Sequence, residues 1–526
     1  MPNRSADTLF QLVKSLKKSE KRNFKLYVKR NTASEDLKII HLFDAMDKMD
    51  VYDEVALLQK NKRLSKLQLS NIRANLYKQI LASLRLIRNE NDIVIQLHEQ
   101  LDYAEILYNQ GLYMQSLKVL DRIKTDARAY HQYGYVQETL FFEQKIEALH
   151  ITRSMQDRAG KLAAEMKSVN EQLQLAGNLS SLSLQLYGWY IQHGVARNEK
   201  DETAVQEFFE YRLPVNMPSV KGFYENLYLY QCYSWYAFIG QDFLSYYRYT
   251  YRWVDLFDKE PAMIPIETAH YIKGMHNLLG AHFDLLNYPK FVETLRRFEQ
   301  FFLSEAVQEN DNNRIQTFVY LHIAKINLHF IDGTFTEGLT LVPYIEDKLK
   351  EYEIYLDRHR VLIFYYKFAS LFFGNGDYEK TIRYLNKIIN WKMDLRTDLQ
   401  CYTRLLHLIA HYELGNDNLL EYLIKSVYRF MAKMENLSGV EEEIFRFLKK
   451  SFQLGPKELK PEFSNLLDKL KSYEKNRFET RAFVYLDIIS WLESKIREVP
   501  VQQIIHEKFL KNNVIKIHQP TEADRS

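Results

Sequence analysis

A helix–turn–helix pattern at 361–390 constrains the fold of this chain more than any other stretch, because weaker copies of it recur along the sequence. Apolar or small side chains recur every three or four residues on both sides of a turn, which is typical of amphipathic helices. The first stripe comprises Tyr365, Phe368, Ala369 and Phe372, and the second comprises Thr381, Leu385 and Ile388. Gly376, in the turn, occupies a position where the backbone often needs a positive φ. Neither helix can bury its stripe alone, so the pair requires neighbours.

Further stretches reproduce these offsets, at 101–124, 328–349 and 405–427. In the first of them Ala104 and Ser116 take the places of Ala369 and Thr381, small residues that let two helices approach closely. Looser pairs are expected around Gly240 and around Asn287-Tyr288. The chain contains only 17 glycines and 11 prolines, which disfavours a β-sandwich or a disordered chain.

The small residue on the first helix, the Gly376-Asp377-Tyr378 turn and the stripe of the second helix resemble the tetratricopeptide repeat (TPR). The resemblance covers roughly 92–435 and implies an all-α, TPR-like α-solenoid, a right-handed superhelix of helical hairpins. It also implies a non-enzymatic protein–protein interaction scaffold or adaptor that binds a peptide or protein partner on the concave face. The turn glycines 333, 376 and 415 are 43 and 39 residues apart, against about 34 in the TPR, so longer helices or looser connections are expected.

We predict four parts along the chain: a basic helical module at 1–90, a helical repeat array at 91–435, a helical cap at 436–511 and a disordered tail at 512–526. Within the basic module, the apolar pattern predicts several short helices followed by a long one from Lys66 to Arg88.

The resemblance also implies where a partner would bind, because the first helix of each TPR hairpin lines the inner wall of the superhelix. Two offsets are expected to meet the partner, three and ten residues before the turn glycine. They are occupied by Tyr108, Phe330, Phe373 and Tyr412 at the first offset and by Tyr230 and Tyr366 at the second. The Lys and Asn residues of the dicarboxylate clamp in chaperone-binding TPRs are not recognisable, so binding to a chaperone tail is not expected.

Aromatic residues are concentrated at 223–257, where 15 of 35 residues are Phe, Tyr or Trp. Two interpretations stay open. The rings fill the core between long stacked helices, with tyrosine hydroxyls at the rim, or they line a groove for a peptide.

Residues 1–90 carry 19 Lys and Arg against 10 Asp and Glu, although the net charge of the whole chain is only +3. Their densest run comprises Lys14, Lys17, Lys18, Lys21, Arg22, Lys25, Lys29 and Arg30. This run is either a solvated face or a surface for phosphates of RNA or DNA. The alternative function is therefore a regulator whose basic module contacts nucleic acid or the ribosome while the array senses a partner, similar to TPR-containing peptide-responsive bacterial regulators.

Two observations restrict that alternative. The next helix carries Asp44 and Asp47, which makes it a poor recognition helix for a helix-turn-helix motif. Membrane binding is not expected, because we identify no flanking Trp or Leu that could insert from the basic face.

An enzyme is not expected, since the sequence contains no GxxxxGK[ST], no GxSxG and no GxGxxG after a strand. His407 and His411 have a spacing that can chelate zinc, but the HLIAH stretch lacks the glutamate of HExxH, so packing is favoured over a metal site. No cofactor is expected. Cys232 and Cys401 cannot build a disulfide framework, and we find neither a signal peptide nor a stretch that could span a bilayer. Together these features predict a cytoplasmic protein.

Overall fold

The computed structural model describes residues 8–31, 37–60, 66–88, 92–150, 157–214, 220–353, 355–391, 397–434, 438–451, 453–479 and 487–517. These residues are almost entirely helical, and no strand occurs among them. The chain divides into two compact units, Met1–Val169 and Asn170–Ser526. The predicted disordered tail lies largely outside the described residues, and the predicted division at 90, 435 and 511 stays a prediction.

The first unit begins with short helices and continues with longer ones. Its helices are α1 (Thr8–Ser15), α2 (Lys18–Asn31), α3 (Leu37–Lys48), α4 (Glu54–Lys60), α5 (Lys66–Arg88), α6 (Ile93–Asn109), α7 (Tyr113–Ala129) and α8 (Tyr133–His150). The next helix, α9 (Arg158–His193), starts in this unit and ends in the second. The predicted long helix from Lys66 to Arg88 is confirmed. Around it, Phe24 and Phe43 pack with their ring centroids 4.7 Å apart in a core shared by α1 to α5.

The second unit continues as consecutive packed helices. They are α10 (Glu199–Arg212), α11 (Phe223–Ile239), α12 (Phe243–Lys259), α13 (Thr268–Asp284), α14 (Tyr288–Phe302), α15 (Glu305–Gln308), α16 (Asp311–Asp332), α17 (Phe335–Gly338), α18 (Val342–Glu351), α19 (Arg358–Asn375), α20 (Tyr378–Ile389), α21 (Thr397–Glu413), α22 (Asp417–Lys433), α23 (Gly439–Ser451), α24 (Pro456–Tyr473), α25 (Ile488–Arg497) and α26 (Val501–Ile517). Two short 3₁₀ turns, Pro261–Met263 and Leu339–Leu341, interrupt the series. One apolar core runs through α11 to α26.

Five turns in the described part of the second unit share a residue with a left-handed backbone conformation. A residue with positive φ follows the first helix of each pair, namely Gln241, Leu286, Gly333, Gly376 and Gly415. After Gly376, the N–H of Asp377 donates to the carbonyl of Phe372 over 2.9 Å, which closes the last turn of α19. The side chain of Asp377 then caps α20 by accepting from the N–H of Lys380.

The predicted positive φ at Gly376 is therefore confirmed, at +87°. The turns at Gln241 and Leu286 repeat the geometry without glycine, and Asp242 and Asn287 cap the helices that follow them. The positive-φ residues are 45, 47, 43 and 39 positions apart, so the long period predicted from the glycines extends over five turns.

Small residues permit the closest approach within a hairpin, as predicted. Thr381 and Ala369 are fully buried, and the Thr381 hydroxyl donates to the Ala369 carbonyl over 3.4 Å. The equivalent pair in the first unit has the same contact, because Ser116 Oγ donates to the Ala104 carbonyl over 2.8 Å. A bulkier side chain at either place would push the helices apart.

The last helix, α26, packs against residues far from it in sequence. His506 Nδ1 lies 2.7 Å from the carbonyl of Asp332, and Thr336 Oγ1 donates to Gln502 Oε1 over 2.9 Å. Phe509 meets Tyr288 edge to face, with centroids 4.7 Å apart. The C-terminal helix therefore covers the turns that follow α13 and α16.

Candidate functional site

Side chains from four helices of the second unit converge around one tyrosine ring. We call this set the Tyr320 cluster; it comprises Trp235, Lys273, His276, Tyr320, Arg360 and Lys367. Lys273 Nζ lies 5.3 Å from the centroid of the Tyr320 ring and 5.8 Å from that of Trp235. Arg360 Cζ lies 5.6 Å from the same Tyr320 ring, and the His276 ring stacks on it at 4.0 Å. Two cations and an imidazole therefore surround a single aromatic ring.

Helical periodicity places the cluster residues of one helix on the same face of that helix. Trp235 lies on α11, Lys273 and His276 on α13, Tyr320 on α16, and Arg360 and Lys367 on α19. Residues 273 and 276 are three apart and residues 360 and 367 are seven apart, so each pair lies on one face of its helix. The helices α11, α13, α16 and α19 each precede a turn with positive φ, so the cluster draws on the first helix of successive pairs.

Positive charge in the cluster is only partly compensated. Arg360 Nε lies 3.3 Å from Asp357 Oδ2. Lys273 has no ion pair with a carboxylate of the described residues, and neither has Lys367, whose ammonium donates to Asn327 Oδ1. Burial lowers the pKa of Lys367 to about 8, and the carboxylate of Asp284 opposes that shift. Near neutral pH the Lys367 side chain is therefore still protonated in most molecules.

The pKa of His276 reflects the same excess of positive charge. Burial is the main cause that lowers its pKa well below the usual value, and Lys273, Arg360 and Lys367 add to the effect by repulsion. The imidazole is therefore neutral at physiological pH. Lys273, Arg360 and Lys367 all lie near enough to His276 to lower its pKa.

Aromatic side chains border the cluster. Tyr187 packs against Trp235 with centroids 5.1 Å apart and is 42% exposed, while Tyr190 stacks on the same indole at 5.6 Å. Burial is the main cause that raises the pKa of the Tyr187 hydroxyl, with smaller contributions from Tyr320 and Asp357. A ligand in contact with Lys273 would therefore meet aromatic surface beside the cations.

The aromatic residues predicted to meet a partner occupy different surroundings. Tyr366 is 6% exposed and Phe373 is 4% exposed, because neighbouring helices cover that stripe of α19. Tyr230 and Phe330 are half-buried against the same core, and Phe330 lies under the Lys367 ammonium at 5.2 Å. Their contact with a partner stays a prediction, and little of Tyr366 or Phe373 is accessible in this conformation.

The other two predicted residues also pack within their units. Tyr412 lies between Phe447 and Trp491, and burial raises its pKa to about 12. In the first unit, the Tyr108 hydroxyl is 3.0 Å from His150 Nε2, and Lys145 Nζ lies 4.6 Å from its ring centroid. Each of these two rings therefore packs against residues of its own unit, and its contact with a partner stays a prediction.

Part of the basic run of the first unit is paired with acidic residues. Lys21 pairs with Asp47 and Lys25 with Asp44, each at 2.6 Å, and Lys14 donates to the carbonyl of Asp47. The N–H of Lys17 donates to Glu20 Oε2. Asp44 and Asp47 of α3, which made it a poor recognition helix, therefore neutralise part of the basic face of α2.

Other cations of α2 face solvent. Its exposed cations, none of which is ion-paired with a described residue, are Lys18, Arg22, Lys29 and Arg30. Lys18, Arg22 and Lys29 also line a shallow pocket of about 440 Å³ together with Lys21, Lys25 and Leu26. Leu26 is exposed between the cations, a correction to the expectation that no leucine accompanies the basic face.

The remaining features highlighted by the sequence lie mostly in the core. His407 and His411 are buried with ring centroids 4.5 Å apart, and His411 Nδ1 contacts the Asn416 amide at 2.9 Å. The thiols Cys232 and Cys401 are buried, and neither forms a disulfide with a described residue. In the aromatic region, Phe223, Trp253 and Phe257 are buried, as the core interpretation expects. Trp235 belongs to the Tyr320 cluster, and a groove for a peptide stays a prediction.

Comparisons with known proteins found no match for this chain among protein-family models, curated proteins or solved structures. The fold itself defines an all-α protein of packed consecutive helix pairs. Among its described helices, none is both long enough and apolar enough to cross a membrane.

Proposed function

We propose that this chain is a non-enzymatic protein-interaction scaffold whose partner docks on the face shared by α11, α13, α16 and α19. The observation that carries the proposal is the Tyr320 cluster, in which aromatic and cationic side chains of four helices gather without full charge compensation. Tyr, Trp and Arg are the residue types that dominate the binding energy of protein interfaces. A helix face that is only structural would carry apolar residues or paired charges at these places.

The proposal extends to the architecture. The common turn geometry, the capping Asp or Asn residues and the small-residue contacts support a TPR-like array in which the first helices of successive pairs form one inner wall. In that arrangement the helix pairs form a right-handed superhelix, which the basic helical module precedes in sequence and the C-terminal helices follow, and the partner occupies its concave side in the cytoplasm.

Site-specific photocrosslinking in the native cell tests the docking face. A photoreactive phenylalanine derivative replaces Tyr187, which borders the Tyr320 cluster, or Tyr422, which is 70% exposed on α22. We expect a discrete crosslinked protein from position 187 and none of that size from position 422. Equal crosslinking at both positions, or none at position 187, would contradict the proposed docking face.

A second candidate function is contact with nucleic acid or the ribosome through α2. The observation that favours it is the exposed row of cations that includes Lys18, Arg22 and Lys29, for which no described residue supplies an ion pair. Because phosphate contacts release counterions, such binding would weaken steeply as salt increases.

Filter binding of labelled RNA and duplex DNA across a salt series tests this candidate. The triple variant Lys18→Gln, Arg22→Gln and Lys29→Gln should lose binding, whereas Lys21→Gln should lose less, because Lys21 is already paired with Asp47. No retention of either nucleic acid even at low salt would eliminate this candidate.

A further inference from the structure

We infer that the Tyr320 cluster binds an acidic segment of the partner protein, with side-chain carboxylates of that segment held by Lys273 and Arg360. The inference rests on the proposed function and specifies the chemistry of the partner. It concerns residues that the sequence analysis did not place in a binding site.

The charge balance of the cluster is the first argument. Lys273 and Arg360 lie within 5.3 and 5.6 Å of one ring centroid, and the half-buried Lys367 adds a further cation on α19. Asp357 is the carboxylate that pairs with Arg360, and none of the described residues supplies an ion pair to Lys273 or Lys367. Like charges held together in a partly desolvated place repel each other, so an incoming carboxylate gains more there than at an open surface.

The rigidity of the two cations is the second argument. The Lys273 ammonium lies over both the Trp235 and the Tyr320 rings, and cation–π attraction holds it there. Asp357 caps α19 by accepting from the Arg360 N–H at 2.9 Å and fixes the guanidinium through Nε. Little side-chain freedom is therefore lost when a ligand binds, which favours affinity.

The shape of the positive region distinguishes a peptide from a nucleic acid. A phosphate backbone presents charge at regular intervals and is bound by a row of cations such as that on α2. The Tyr320 cluster instead holds two cations, Lys273 and Arg360, around one ring, next to the exposed surface of Tyr187. That combination suits a few carboxylates next to apolar side chains, which a peptide supplies.

Fluorescence anisotropy of the full chain with a labelled peptide of alternating glutamate and glycine tests the inference, with the glutamine analogue as the uncharged probe. We expect the glutamate peptide to bind and the glutamine peptide not to bind. Lys273→Gln and Arg360→Gln should each weaken binding about ten-fold, the loss of one charge-assisted hydrogen bond. Lys273→Arg should retain binding. Lys350→Gln, which changes an exposed cation on α18, is the matched control and should leave it unchanged.

A gain of affinity separates binding from misfolding. Asp357→Asn removes the carboxylate that competes for Arg360 but keeps a side-chain acceptor for the cap of α19. We expect the glutamate peptide to bind this variant about three-fold more tightly, in line with the worth of an exposed ion pair. Weaker or unchanged binding would overturn the role of Arg360.

Three results would overturn the inference as a whole: no binding of the glutamate peptide, equal binding of the glutamine peptide, or binding that Lys273→Gln leaves intact. An RNA oligonucleotide that binds more tightly than the peptide and is lost with Lys273→Gln would also refute a peptide occupant. If crosslinking from position 187 persists in any of these cases, the scaffold function stands and only the acidic partner is wrong. If both experiments fail, the docking face itself is wrong.

Discussion

Substituting Gly374 by alanine should destabilise the second unit, although alanine is normally the better helix former. An added Cβ would lie 2.3 Å from Phe335 Cδ1 and 2.6 Å from Cε1 and Cγ, against about 3.5 Å for ordinary contact. Phe335 is buried and packs against Phe330, so the ring has to move into occupied space. Overpacking of this kind costs about 3 kcal/mol at its upper range, and helix propensity returns about 1. We expect a net loss of about 2 kcal/mol.

Urea unfolding followed by tryptophan fluorescence measures this loss in the right unit, because all five tryptophans of the chain lie between residues 189 and 491. In a Phe335→Ala background the clash is absent, so Gly374→Ala should become favourable by about 1 kcal/mol. The coupling between the two sites is then about 3 kcal/mol. Gly376→Ala is the control. Its φ of +87° makes alanine unfavourable by about 1–2 kcal/mol, but nothing lies within 4 Å of its Cβ position, so the loss should be equal in both backgrounds. A neutral Gly374→Ala, or an absence of coupling to Phe335, would refute the reasoning.

Three further changes test other parts of the fold. Burial raises the pKa of Glu441 to about 7, so the folded state binds its proton more tightly than the unfolded state, and stability falls as pH rises from about 4.5 to 7. Glu441→Gln should remove up to about 3 kcal/mol of that fall in denaturation curves taken across this range. An unchanged pH profile would argue against this role of Glu441. Lys124 and Glu143 form a buried ion pair at 2.8 Å. Lys124→Met should lower the free energy of unfolding by about 3 kcal/mol, measured by urea unfolding followed by circular dichroism, and adding Glu143→Gln to that variant should restore most of the lost stability. Leu286 is 59% exposed and has a φ of +50°, a conformation that glycine adopts more easily than leucine. Leu286→Gly should therefore raise the free energy of unfolding by about 0.5–1 kcal/mol. A decrease would show that the leucine side chain stabilises the turn.

Periodicity and turn chemistry account for what could be predicted about the fold. The stripes around Gly376 predicted both helices, and the small residues at 369 and 381 predicted their close contact. Turns at Gln241 and Leu286 were located only loosely, because a left-handed backbone costs only about 1–2 kcal/mol outside glycine and surrounding structure can offset it. An Asp or Asn directly before an aromatic residue, as in Asp242-Phe243 and Asn287-Tyr288, was the signal that marks these turns in the sequence.

The candidate site could be predicted far less well. Offsets counted from the turn glycine selected Tyr366 and Phe373, whose exposure depends on how neighbouring helices pack, and a single sequence does not contain that information. The Tyr320 cluster had one local sign, since Lys367 interrupts the apolar stretch from Val361 to Phe373. Its convergence with Lys273 depends on the register between α13, α16 and α19, which arises only from tertiary packing.

The contact between His506 and the Asp332 carbonyl has a consequence for biosynthesis. These residues are 174 positions apart, and ribosomes add about 5–20 residues per second. The backbone around Gly333, which α26 approaches so closely that no Cβ would fit, therefore stays uncovered for roughly 10–35 s after it is made. During that interval this edge of the second unit is open, and the second unit is completed only when α26 has been made.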